Sequence, residues 1–249
     1  MSERGLSEWL ESPQGRYLLA WEKAAFDEMV ADIFGYNALQ VGLPGLPLLE
    51  HSRMSWRFSS SADRGAPVVT NAHALPFATA SLDLVLLPHV LEFSPYPHQV
   101  LREIERVLVP EGSVIISGFN PFSLWGIRRM LARSDCGYPW RGHYYSSPRI
   151  KDWLTLLGFE AQESRLGCYR PAVRTSKWIE RWRFMDRAGA RWWPICGGAW
   201  VLHGIKRVHG MRLITPKWRD LRAAEKRLAP VVRRGRGVAG NLQRIDEQD

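Results

Sequence analysis

His89 and Glu92 stand three residues apart in "PHVLEF", directly after a run of apolar residues. A histidine in that position could exchange a proton near neutral pH, because an unperturbed imidazole titrates around pH 6.5. A neighbouring carboxylate could orient it or contact a polar acceptor. The plainer reading of the pair is a surface histidine and a helix-capping glutamate. Asn120, in "GFNPF", adds a further polar side chain after another apolar run, and "RGHYYSSP" adds His143, Tyr144 and Tyr145. The latter group is either acceptor-facing or a packed aromatic loop. A different chemistry is suggested by "NALQVGLPGLPLLEH", Asn37–His51, where an apolar stretch runs into Gly42 and Gly45. Strands ending in glycines let backbone approach a phosphate or ribose closely. Here Pro44 sits between the glycines and no carboxylate stands beside them.

Periodicity indicates what positions these residues. Ser12 is an N-cap and Pro13 a first helical residue for a helix whose stripe is Leu18, Trp21, Ala25, Met29 and Ile33, ended by Gly35. Ala38–Val41 reads as a strand, and "RMSWRF" and "APVVTN" as weaker ones. Leu82–Leu87 is apolar throughout except at Asp83, as in a strand buried on both faces of a parallel sheet. Asp83 reads best as an anchor for the start of that strand through backbone hydrogen bonds. Ser94-Pro95 opens a helix carrying Val100, Leu101, Ile104 and Leu108, and "PEG" turns into the strand "SVIISGF". A helix from Ser147-Pro148 to Gly158, a strand over Phe159–Arg165 and a late strand in "AWVLHGIKRV" complete the pattern. Strands alternating with helices predict an α/β fold with a parallel sheet over residues 36–165. Such sheets bind ligands at the carboxyl ends of their strands. Those ends predict one cleft lined by Gly42, Gly45, Asn71, His89, Glu92 and Asn120.

"VVTNAHALPFATASLDLVLLPHVLEFSPYPHQVLREIERVLVPEGSVIISGFNP" resembles the core of a class I S-adenosylmethionine-dependent methyltransferase, of the type 11 family. "LLGFE" and "VLHGIKRV" match that family's last two strands. The resemblance implies a Rossmann-like, mostly parallel seven-stranded sheet with an antiparallel last strand and helices on both faces. It also implies S-adenosylmethionine as cofactor, held by Gly42, Gly45, Asn71, Ala72 and Leu87. Glu92, Asn120, His143 and Tyr145 would face the acceptor, with His89 as the base if one is needed. The departures fall on the cofactor positions. Where the family has an acidic residue and GxGxG, this chain reads Gln40, Gly42, Pro44 and Leu46. The ribose carboxylate is replaced by serines, with Asp63 a few residues late, and Asn71 stands where DAxxLPF has aspartate. Asn71 retains an oxygen able to accept from an adenine amino group.

Charge is distributed unevenly. Residues 165–249 hold 20 Lys/Arg against 7 Asp/Glu, whereas residues 1–164 hold 14 against 18. "TSKWIERWRFMDRAGARWWPICGG" combines arginines with tryptophans, and Trp178, Trp182 and Met185 share one face of a continuous helix. Four readings are open: a lid over the cleft, a peripheral contact of residues 177–193 with a membrane, a contact with a polyanion, or a helix that completes the core. Three scattered cysteines and no CxxC argue against a disulfide framework or zinc site and fit a reducing cytoplasm. No signal peptide or transmembrane span is expected. The organisation expected is a helical cap at 1–35, a methyltransferase-like domain at 36–210 with an insertion at 166–198, and a basic, largely disordered tail at 211–249. The function expected is methyl transfer to a small or lipophilic acceptor. The alternative is a catalytically impaired relative that engages a membrane or polyanion through its Arg/Trp segment.

Overall fold

The computed structural model describes residues 4–62, 66–132, 137–173 and 175–208. The expected tail, Asp63 and Cys136 lie outside the described residues. Seven strands form one sheet: β1 (Asn37–Val41), β2 (Trp56–Ser61), β3 (Val68–Val69), β4 (Leu82–Pro88), β5 (Leu108–Phe119), β6 (Phe159–Gly167) and β7 (Ala199–Lys206). Their order is β3-β2-β1-β4-β5-β7-β6. Pairs among β1 to β5 are parallel, and β7 runs antiparallel to both β5 and β6. Strand order therefore reverses between β1 and β4, the point where open α/β sheets bind ligands.

The run Leu82–Leu87 is apolar because both faces of β4 are covered. Leu84 and Leu86 pack with Ala25, Phe26, Met29 and Val30 of α2 (Pro13–Ala31). Val85 and Leu87 pack with Val100, Leu101, Ile104 and Val107 of α4 (Pro97–Val107). Asp83 anchors the strand start as expected, but across strands: its Oδ2 accepts from the backbone N–H groups of Tyr36 and Asn37, each at 2.9 Å. β1 is thereby held in register beside β4.

The expected N-terminal helix forms from Pro13, and its Ser12 hydroxyl accepts from Gly15 N at 3.1 Å. It ends at Ala31, before Gly35. A short helix not anticipated from sequence, α1 (Arg4–Leu10), precedes it and folds back at the corner. Both belong to the compact unit that extends to Val208. A Cβ on Gly15 would lie 2.4 Å from Leu10 Cα and from Trp9 O, so the corner is closed to any side chain. Gly15→Ala is expected to cost about 1–3 kcal/mol, measured as a lowered urea midpoint at unchanged slope.

Beyond β4 the chain makes α3 (Val90–Phe93) before α4, which starts at Pro97 rather than at Ser94-Pro95. α5 (Leu124–Leu131) and α6 (Ser147–Leu156) follow. Between β6 and β7 the expected single helix is two, α7 (Ser176–Arg181) and α8 (Phe184–Trp192). The break at Trp182-Arg183 removes the shared Trp178/Trp182/Met185 face. Ile179 is the buried residue of α7, and Trp178 is exposed.

Candidate functional site

The carboxyl end of β4 is unusual in its backbone. His89 sits in the left-handed region at φ 52°, an uncommon conformation for a side-chain-bearing residue. The turn puts the imidazole in the protein interior, 1% exposed. Nε2 lies 2.8 Å from Glu22 Oε1 of α2, and Nδ1 lies 3.2 Å from Glu92 Oε1 of α3. The Glu22 contact is a close ion pair rather than an aligned hydrogen bond, since neither atom has a directional partner among the described residues. Glu92 Oε1 also accepts from Phe119 N at 2.7 Å. The imidazole stacks on Phe119 at 4.2 Å, and Phe119 stacks on Tyr144 at 5.0 Å.

Burial opposes a charge on His89, but the two carboxylates outweigh it and push its pKa up to about 10. At neutral pH the ring is an imidazolium with both nitrogens protonated. It has no lone pair with which to take a proton from an acceptor. With a carboxylate at each ring nitrogen, His89 is placed to join α2 and α3 rather than to offer a free nitrogen to an acceptor, as the expected base role requires.

His89 nevertheless forms part of the wall of a cleft of about 180 Å³. Gly42 and Leu43 after β1, Ala62 after β2, Asn71 and Ala72 after β3, and Pro88 at the end of β4 line the same space. Thus Gly42, Asn71, Ala72 and His89 come together as expected from the strand ends. The remaining sequence-predicted residues do not line this cleft. Leu87 belongs to the apolar core against α4, and alternation along β4 gives the lining position to Pro88. Gly45 faces a separate hollow with Leu10, Leu19 and Leu46. Glu92 is buried, and its Oε1 meets His89 Nδ1 and accepts from Phe119 N. Asn120 donates to Ile195 O at 2.7 Å and Gly197 O at 2.9 Å, and accepts from Phe122 N at 3.1 Å. It ties two turns together. His143 is exposed, and Tyr145 packs on Trp153 at 5.1 Å while its carbonyl accepts from the Trp200 indole.

The first loop has a different internal structure from the one its glycines suggest. Gln40 is buried, and its amide donates to Leu43 O at 2.8 Å, Leu46 O at 2.9 Å and Gly42 O at 3.3 Å. The loop has turned its carbonyls toward residue 40, which suits a donor there and not a carboxylate. Gly42 and Leu43 both take positive φ, 81° and 47°. Leu43 is held in that conformation by packing with Leu6, Leu10 and Leu18. Pro44 is exposed and Leu46 lines the other hollow, so neither occupies the cleft.

Contributors that sequence reasoning missed include Glu22, Leu6, Leu43 and Tyr138. For Glu22 a signal existed. It falls on the buried stripe between Leu18 and Phe26, where a carboxylate requires a partner. Leu6 and Tyr138 reach the cleft from segments remote in sequence.

The cleft suits an adenosyl group at one end. Asn71 presents an amide, Ala72 and Pro88 present apolar surface, and Gly42 leaves backbone open to close approach. Among the described residues no carboxylate lines this cleft. Among the described residues no group of three or more His, Cys, Asp or Glu could hold a metal.

Comparison with known proteins agrees with this fold. Residues 51–116 match the family described as a methyltransferase domain. The chain is 33% identical over 155 residues to the uncharacterized protein YafS of Escherichia coli K12, covering 61% of this chain and 64% of that one. It is 32% identical over 99 residues to the malonyl-[acyl-carrier protein] O-methyltransferase of Methylovorus sp. MP688, covering 40% and 33%. A crystal structure of a SAM-dependent methyltransferase from Archaeoglobus fulgidus superposes with TM-score 0.53 at 17% identity, covering 76% of this chain and 94% of that one. The sheet order, the antiparallel β7 and the flanking helices are those of this fold.

Proposed function

We propose, from the premise that this chain carries a class I methyltransferase domain, that its cleft binds S-adenosylmethionine and that it transfers a methyl group to a small or lipophilic acceptor. The observation that carries this reading is the convergence of Gly42, Ala62, Asn71, Ala72 and Pro88 on one cleft at the strand-order switch point. Asn71 and Ala72 would hold the adenine end, and the backbone at Gly42 the amino-acid end. Bound there, the cofactor supplies an electrophilic methyl for in-line displacement. The chain's own contribution is then alignment and exclusion of water, the terms that dominate such a transfer. Phe93, Val90, Leu6 and Tyr138 give the cleft the apolar wall that such exclusion needs. His89 is a positioning residue: its ion pairs tie the end of β4 to α2 and α3, fixing Pro88 and the cleft floor. An acceptor that must lose a proton would have to arrive already ionised, or give its proton to water.

Calorimetric titration with S-adenosylmethionine and S-adenosylhomocysteine tests the reading. The wild type is expected to bind both. Asn71→Asp, which restores a charged acceptor for an amino group, is expected to tighten binding about tenfold, since a hydrogen bond to a charged group exceeds a neutral one by roughly 1–1.5 kcal/mol. No heat from either ligand at millimolar concentration, in wild type and variant alike, would overturn it.

A further inference from the structure

A second surface, separate from the cofactor reading, is built from two segments that the fold brings together. α5 presents Leu124, Ile127 and Leu131 at helical spacing, with Met130 beside them and Phe122 just ahead. Met130 and Leu131 are each 80% exposed. The end of α8 and the turn after it present Trp192, Trp193 and Ile195, the last 71% exposed. The segments meet at Asn120, whose amide bonds Ile195 O and Gly197 O. The Trp125 indole, from the buried side of α5, donates to Arg170 O at 2.8 Å. Both rows are therefore anchored from within while their apolar side chains are left in solvent. Eight large apolar residues exposed on two adjoining segments are not the single, scattered residues of an ordinary surface.

The charges of these segments are one-sided. Residues 120–132 contain Arg128 and Arg129 and no acid. Residues 184–197 contain Arg187 and Arg191 and one acid, Asp186, which is held by Arg170 and Tyr17. We infer that this face docks on an anionic lipid bilayer, with Leu, Ile, Met and Trp side chains entering the interface and the exposed Arg187 and Arg191 meeting phosphate headgroups. A second copy of the chain is a poorer occupant, because a self-complementary contact would set this basic face against itself. Nucleic acid would use the arginines and tryptophans but leaves Leu124, Ile127, Met130 and Leu131 without a stacking partner. Among the described residues no helix is long and apolar enough to cross a membrane, so the contact is peripheral.

Co-sedimentation of the full chain with phosphatidylcholine vesicles, with and without about 30% phosphatidylglycerol, tests the inference. Binding is expected to the anionic vesicles, to weaken in high salt, and to be slight on neutral ones. Two double variants, Ile127→Ser with Met130→Ser and Trp192→Ser with Trp193→Ser, keep every positive charge, including those of residues 209–249. Each is expected to lower the partition coefficient at least about tenfold while circular dichroism stays native. Variants that bind as well as wild type, no binding to either vesicle, or a dimer by light scattering that the same substitutions dissociate, would overturn it. All three readouts are blind to whether the cleft takes a cofactor.

Discussion

Replacing His89 with alanine is expected to lower stability by about 3–5 kcal/mol, since it leaves two buried carboxylates without the cation between them. Glu22 and Glu92 come from different elements, and their side chains are 4% and 1% exposed. Without the imidazolium they repel each other across the space the ring had filled. Equilibrium urea unfolding would measure the loss. The pH dependence separates this electrostatic role from simple packing. The folded pKa of about 10 lies above the unfolded value near 6.5. The stabilisation is therefore fully present below pH 6.5 and is lost as pH rises from there through about 10. Wild type should weaken across that window. His89→Gln, which fills much of the same volume without a titrating charge, should lack that decline. A wild-type profile as flat as the variant's would mean that the ring is neutral. The base role first expected from the sequence would then be open again.

The fold was legible because its signals are local and repetitive. The apolar run of β4, broken only at Asp83, the Val100/Leu101/Ile104 stripe of α4 and the Ser12 cap each state their environment without reference to distant residues. The cleft was half legible. Topology alone brings the ends of β1, β3 and β4 to the same edge of the sheet, so Gly42, Asn71, Ala72 and His89 follow from strand order. What topology does not give is the direction of each side chain. Leu87 and Pro88 differ by one position, and alternation sends one to the core and the other to the cleft. Asn120 and Glu92 look like acceptor-facing polar groups from sequence. Whether a buried polar group faces a cavity or a backbone is a matter of tertiary partners: Ile195 for the first, Phe119 for the second. The single helix expected from Trp178 to Met185 failed for a related reason. Of the four readings open for its tryptophans, the packed core face does not form: Ile179 and Gly189 are the buried positions, and most of the large aromatic side chains face solvent.

Gln40 gives the second large effect, and it runs against expectation from the family. Reading the loop as one that has lost its acid suggests that Gln40→Glu would repair it. The structure leads to the opposite result. The side-chain amide of residue 40 faces three carbonyl oxygens at 2.8 to 3.3 Å, in a site 3% exposed. A carboxylate there would leave those acceptors unserved and would itself be a buried charge facing partial negative charges. About 3 kcal/mol of destabilisation is expected at neutral pH. The loss should shrink in acid, because a protonated glutamic acid supplies one donor. Its folded pKa would be raised, so the relative stability of the variant is best below the unfolded value near 4.3 and declines as pH rises above it. Gln40→Met, which removes the donors without adding charge, should cost less than the glutamate at neutral pH. Urea midpoints of the three proteins at pH 4.5 and 7.5 would order them. If the glutamate variant matches wild type at the higher pH, the loop carbonyls are free to turn outward, and Gln40 is not what holds Gly42 and Leu43 at the cleft.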